Sequence, residues 1–549
     1  MNNARWPWLL AALAGYALVS VLCIGHGASL TTGLFGAGSD PSQFVWFFSW
    51  FPWAIAHHHS LFFTHLMWQP LGVPLLWVSS VPLVSLLLMP LTHLLGPVVV
   101  YNLLILAAPV ASALCAYALC LAVCRNGAAA LLGGYVFGFS SYEMAADLAT
   151  PNLSLTFLLP CLALLVWRRA AGQSGRKATV PLATLMLVAQ FFISIEVFAT
   201  TLFFGFLSWL LAYALLVATR PRLRAMLGDA ALACVLTFLL LSPFLVEMAR
   251  HLHYVNLPAI WPYYFVADLA NFIIPTRLTL PGGNLAWPVS KHFPGILQEQ
   301  GTYIGLPLLF ILLGFARARR GEKPARFLLA LWLLFGLASL GPRLWAGGRF
   351  IGILLPWSAF LHLPFISQGL PVRFALFVSL ASALILALWV ADARNPKLRL
   401  AAGLLACLAL LPAPHAWMPL PVSKFFAPHE VQAQLGANAR LLVLPFGPNG
   451  ASTYWQAENH FGFSETGGYL GFPPAAMQHF KAVGALFGHY QGADFVAELK
   501  NLCLATRTQY IVAGPGTSAA LWRVLAALGW PARQVDDVTI FTVPDTKHG

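Results

Sequence analysis

Few side chains in this sequence can do acid–base or ionic chemistry, so each one stands out. Asp40 is the sole Asp, Glu, Lys or Arg between Arg5 and Arg125. It opens the run DPSQFVWFFSWFPWAIA, and Asp-Pro-Ser-Gln has the wording of a helix start, with Asp40 at the N-cap, Pro41 at N1 and Gln43 at N3. Capping alone can account for a carboxylate here. The helix behind it carries Phe44, Trp46, Phe47, Phe48, Trp50, Phe51 and Trp53. It is apolar all round, which suits the membrane interface or the company of other helices. A carboxylate at that rim, aimed by its cap, also suits a general base acting on a substrate that arrives from the membrane.

The remaining ionisable candidates gather near the ends of apolar runs. Glu143 and Asp147 lie four residues apart, hence on one helical face. Arg373 follows Pro371 at the start of a long apolar run, and Arg343 and Arg349 precede it. A guanidinium can bind two phosphate oxygens at once, although interfacial arginines also reach for headgroups without any specific ligand. Glu196 falls between two apolar runs and reads most simply as part of a turn, and Glu247 with Arg250 as a local ion pair. Asp268 and Glu299 belong to one loop and are candidates to line an acceptor path.

Two tempting motifs carry little. Neighbouring residues on a helix point about 100° apart, so His57, His58 and His59 do not converge on one ion. GPGTS (514–518) lacks the Lys of a phosphate loop and reads as a turn with a helix cap. No CxxC pair occurs among the 8 cysteines to suggest zinc.

The elements that must position these residues are membrane spans. The chain is 59% hydrophobic and 9% charged, where about 25% charged is usual for soluble proteins. Its net charge of +13 sits in short connectors: Arg125; Arg168 to Lys177; Arg220 to Arg224; Arg317 to Arg326; Arg394 to Arg399; and Arg5 at the start. That is the positive-inside pattern of cytoplasmic loops, so the charge reports topology and excludes a nucleic-acid partner. Spans are expected near 6–24, 99–124, 127–145, 151–168, 181–198, 200–219, 228–248, 302–316, 327–341, 372–391 and 399–412. These eleven crossings put the N-terminus in the cytoplasm and the C-terminus outside. The run 81–95 is short and interrupted by Pro82 and Pro90. With 41–57 it reads as one of two interfacial helices in the first outer loop.

Hydropathy falls after Pro412. RLLVLPF (440–446), TQYIVAG (508–514) and VTIFTV (538–543) read as strands, and SAALWRVLAALG (518–529) as a helix. The expected organisation is a polytopic α-helical domain over 1–412 and a small extracytoplasmic α/β domain over 413–549.

A first span, a long outer loop opening with an acid and interfacial helices, many further spans and a soluble C-terminal domain resemble the GT-C superfamily of integral-membrane glycosyltransferases. Asp40-Pro41 with its aromatic helix, WQPLGVPL (68–75), ADLANFIIP (267–275), YIGLPLL (303–309) and LPVRF (370–374) are similar to a bacterial, YfhO-like branch. The resemblance implies an enzyme of the bacterial inner membrane with a polyprenyl-phosphate-linked sugar as donor. The acceptor would be an envelope glycan, lipid or protein, and membrane lipids would surround the protein. Asp40 would deprotonate the acceptor, attack would invert the anomeric carbon, and polyprenyl phosphate would leave against Arg373 and Arg343. Some members place a divalent metal, Mg or Mn, on that phosphate with a second acid, for which Glu143 and Asp147 are the candidates. The branch's His-Leu-Asn-like turn is Thr150-Pro151-Asn152 here, so only Asn152 carries over. A transporter or flippase of a lipid-linked saccharide is the main alternative, but it would want charges midway through its spans, where this chain has almost none. A catalytically inactive GT-C-fold assembly partner is the other.

Overall fold

The chain is a multi-pass membrane protein. The computed structural model describes residues 6–255, 261–363, 369–392, 395–488 and 494–544; Arg5 and Arg394 lie outside them. Among the described residues, seven helices are long and apolar enough to cross a bilayer: Trp6–Ile24, Pro97–Cys124, Pro151–Ala170, Arg176–Ile193, Ile195–Leu215, Val217–Arg250 and Pro371–Val390. The other four expected crossings fall on shorter helices, Gly127–Gly138, Leu306–Ala318, Lys323–Ser339 and Pro396–Ala409. At about 1.5 Å per residue these reach only ~18–26 Å, short of ~30 Å of hydrocarbon. The expected span 127–145 is also broken. Its helix ends at Gly138, and Ser140 caps a second helix, Ser141–Asp147, by accepting from the Glu143 amide.

The chain divides into two interleaved units. The first comprises Met1–Ala28, Leu103–Leu241 and Pro258–Ala416; the second comprises Ser29–Asn102, Ser242–Leu257 and Trp417–Gly549. In the first unit the helix Pro371–Val390 is the most enclosed span, 78% buried, while Ile195–Leu215 is 28% buried and leaves most of its surface for lipid. Small residues allow the close packing. A Cβ on Gly133 would stand 3.0 Å from the Ala383 carbonyl oxygen and 3.2 Å from Ala387 Cβ, the small-to-small contact favoured between membrane helices. A two-stranded hairpin, Arg343–Ala346 with Arg349–Leu354, precedes that span and has no counterpart in the sequence reading.

The second unit is built on a five-stranded sheet. Its order is Ala532–Val535, Val538–Thr542, Tyr510–Ala513, Ala439–Leu444, Phe463–Glu465. Ala439–Leu444 runs parallel to both its neighbours, and the Val538–Thr542 strand is antiparallel to both of its own. Leu441, Leu442, Val443 and Leu444 are all buried, as is usual for a parallel strand covered on both faces.

The aromatic helix, Asp40–Ala56, belongs to this unit and is buried along most of its length. Trp46 Nε1 donates to Gln456 Oε1 at 2.7 Å, and Gln456 Nε2 donates to the carbonyls of Leu66 and Phe463. Phe461 packs against the rings of Trp46, Trp50 and Trp53. The aromatic face read as interfacial is thus filled by protein. The second expected interfacial helix is two short ones, Pro82–Leu87 and Met89–Leu95, with Leu87, Leu94 and Leu95 exposed.

Candidate functional site

Asp40 is half-buried at the start of its helix, with Ser39 rather than Asp40 at the N-cap position. Its Oδ1 accepts from Tyr469 Oη at 2.9 Å and from Gln43 Nε2 at 3.1 Å. Tyr469 lies in the loop ETGGYLG (465–471) that follows the edge strand Phe463–Glu465. Thr453 fixes that loop on both sides, its hydroxyl accepting from the Tyr469 amide and donating to the Tyr469 carbonyl, each at 3.2 Å. Burial, reinforced by the Asp40 charge, raises the Tyr469 phenol well above its usual range, so it stays a donor. Sequence reasoning missed Tyr469; the glycine-rich wording around it was the available signal.

Glu465 opens the same loop and is 1% exposed. Burial pushes its carboxyl up to about 8, with Ser452 opposing, and its Oε1 has no partner among the described residues. At neutral pH it therefore holds a proton.

In the first unit, Arg373 does not stand alone. Its Nε donates to both oxygens of Glu299 at 3.1 Å, its Nη2 bonds Glu299 and its Nη1 bonds Glu196. Two carboxyl groups share this one guanidinium beside a small cavity of about 10 Å³, lined by Tyr142, Gln298, Glu299, Gly301 and Arg373 among others. That is room for about one water. Glu196, read as a turn residue, is thus the third member of this cluster. Glu247 does pair with Arg250, at 3.4 Å, and also with His251.

Glu143 and Asp147 are both fully buried. Thr156 Oγ1 donates to Glu143 Oε1, and His415 Nε2 lies 3.1 Å from Asp147 Oδ2. The second oxygen of Glu143, with Asn152 Oδ1, has no partner among the described residues, and Ser154 lies against the Asp147 carboxyl. Among the described residues no three His, Cys, Asp or Glu come together to hold an ion.

Asp268 is nearly inaccessible and acts as a clamp. Its carboxylate accepts from the amides of Ala270 at 2.8 Å and of Gly347 and Gly348 at 2.7 Å each, which ties down the hairpin tip. Arg343 is exposed, and among the described residues its guanidinium bonds only the Gly352 carbonyl, at 3.2 Å. His57 and His59 stack on Trp53.

With this geometry in hand, the fold has relatives of known structure. The archaeal oligosaccharyltransferase AglB from Archaeoglobus fulgidus, solved with an inhibitory peptide and a dolichol-phosphate, is similar over 100% of this chain and 75% of its own, at 13% identity and a TM-score of 0.52. The arabinofuranosyltransferase AftD from Mycobacteria is similar over 100% of this chain and 40% of its own, at 14% identity and a TM-score of 0.56. No family model and no curated protein matches the sequence. The chain therefore shares the fold of these two transferases. At such identity the likeness carries fold and not residue roles.

Proposed function

We propose that the chain is a glycosyltransferase of the bacterial inner membrane, of the YfhO-like branch, working at the extracytoplasmic face. It moves a sugar from a polyprenyl-phosphate donor to an envelope glycan, lipid or protein. Asp40 takes the acceptor hydroxyl proton; the acceptor oxygen bonds the anomeric carbon from the face opposite the leaving group. The bond from that carbon to the phosphate oxygen breaks, and polyprenyl phosphate leaves with the electron pair. The observation that supports this reading best is the Asp40 carboxylate, held from two directions by Tyr469 and Gln43 in a fold shared with two glycosyltransferases.

For the donor phosphate, Arg343 is the better candidate because its guanidinium is exposed and faces no carboxylate in its described bonds. Arg373 is already shared by Glu196 and Glu299. A phosphate there would meet two like charges, so Glu299 would have to yield for Arg373 to serve. Glu143 and Asp147 are proposed as a proton-holding pair rather than a metal site, and Glu299 as the acceptor-path residue beside the cavity. Asp268 stays on that path only through the hairpin it holds. The proposal keeps the N-terminus cytoplasmic and the sheet unit periplasmic.

Envelope glycans and glycolipids compared by mass spectrometry test the proposal. The strains are wild type, a deletion and Asp40→Asn at matched membrane abundance. Loss of the same sugar mass from both mutants supports transfer. The Asp40–Tyr469 contact also supports a second reading, in which Asp40 only joins the aromatic helix to the sheet unit of an inactive assembly partner. An unchanged glycan profile in Asp40→Asn, with the deletion altered, would favour that reading.

A further inference from the structure

The strand Arg349–Leu354 breaks the alternation expected of a half-buried strand. Phe350 is 56% exposed, Ile351 48%, Ile353 57% and Leu354 65%. Successive strand residues point to opposite faces, so both faces of this strand are apolar and uncovered. In water such a hairpin, with Arg349–Leu354 an open edge among the described residues and the other strand bridged at Trp345 to Asp268, would be an association hazard.

Three observations say what covers it. The base of the hairpin is beside a membrane span: a Cβ on Gly341 would stand 3.5 Å from Cβ of Pro371, the first residue of Pro371–Val390. Arg343 and Arg349 expose guanidiniums at opposite ends of the apolar strand, since Arg343 pairs with Leu354 and Arg349 with Ala346. The hairpin is also held rigidly, by the Asp268 carboxylate on Gly347 and Gly348, and Trp345 packs on Phe350 with ring centroids 5.3 Å apart.

We propose that this hairpin is a lipid-docking element that rests in the headgroup boundary of the bilayer. Phe350, Ile351, Ile353 and Leu354 lie against acyl chains, and Arg349 binds a lipid phosphate. The open edge of Arg349–Leu354 sets the depth. Unpaired backbone amides and carbonyls are not tolerated in the hydrocarbon core, whereas an interfacial element sits about 5–10 Å into the boundary, where its edge keeps water. This surface does not depend on the transferase reading, because it requires only that the chain span a membrane.

The test uses the full chain in phosphatidylcholine nanodiscs, with a photoreactive benzoylphenylalanine at position 350 or, separately, 353. The same probe at exposed Arg523 of the sheet unit serves as control. Light-induced adducts are identified by mass spectrometry. Phospholipid adducts at 350 and 353 several-fold above the control, increasing when phosphatidylglycerol replaces part of the phosphatidylcholine, are expected. Lipid yields at both positions no higher than at 523 overturn the proposal. So do adducts mainly to a second copy of the chain, which would make the hairpin a protein interface. Two positions guard against local misfolding at one of them.

Discussion

Tyr469 donates its phenolic hydrogen to Asp40 Oδ1 at 2.9 Å, across 429 positions of sequence. The candidate base is thereby positioned by a loop of the sheet unit, a part of the chain that local reading treats as a separate appendage. Tyr469→Phe keeps the ring and removes the donor. Loss of one hydrogen bond to an ionised partner should cost ~1–2 kcal/mol. Transfer should fall by roughly 10–100-fold as the carboxylate loses its aim. Product mass per unit of membrane protein, read beside the thermal midpoint, separates the two effects. A midpoint loss with unchanged transfer would reduce Tyr469 to a structural tie.

Glu465 makes stability depend on pH. Its folded carboxyl titrates at about 8, against roughly 4.3 for a free glutamate. Between those values the folded chain keeps a proton that the unfolded chain has lost. Stability is therefore fully present below about 4.3, falls as pH rises by up to ~1.4 kcal/mol per unit, and levels off above the folded value. Glu465→Gln should remove that slope and stand more stable than wild type at alkaline pH. Thermal midpoints of both proteins across the acid-to-alkaline range decide it; parallel curves would mean that Glu465 ionises normally.

Arg373→Gln should leave Glu196 and Glu299 facing each other without a cation. Pairs this enclosed lose ~2–4 kcal/mol when one partner is removed, and adding Glu299→Gln should recover part of it. Detergent-solubilised midpoints of the single and double variants measure this. A single variant that folds as well as wild type yet transfers nothing would instead identify Arg373 as a phosphate ligand.

Asp268→Asn weakens two charge-assisted bonds to the hairpin tip. Amide hydrogen exchange over 345–350 should quicken by at least about tenfold, from a local loss of ~1.5–3 kcal/mol. Unchanged exchange there, with transfer impaired, would return Asp268 to the acceptor path.

Local wording made part of this fold legible. Asp-Pro before an apolar run marks the aromatic helix to within a residue, and short apolar runs mark Ala439–Leu444, Tyr510–Ala513 and Val538–Thr542. Phe463–Glu465 escaped because three residues carry no period, and Ala532–Val535 because ARQV is an exposed, polar edge. The burial of Trp46 and Trp50 could not be separated from an interfacial placement, because lipid and protein interiors select the same side chains. Each acid and base of the Glu196–Arg373–Glu299 cluster was visible individually. Their pairing was not, although charges this scarce in apolar surroundings have strong reason to find one another.

The interleaving of the second unit has a consequence for biosynthesis. Gly33–Phe35 pairs with Trp417–Pro419, and the Leu66 carbonyl accepts from the Glu465 amide at 2.8 Å. At ~5–20 residues per second, the ~300 residues between Asn102 and Trp417 take about 15–60 s to synthesise. Through that interval the tryptophan-rich helix lacks the partners that bury it in the finished fold. A chain cut short before Trp417 would strand that helix, so loss of the tail should bring degradation of the whole protein, not a trimmed survivor.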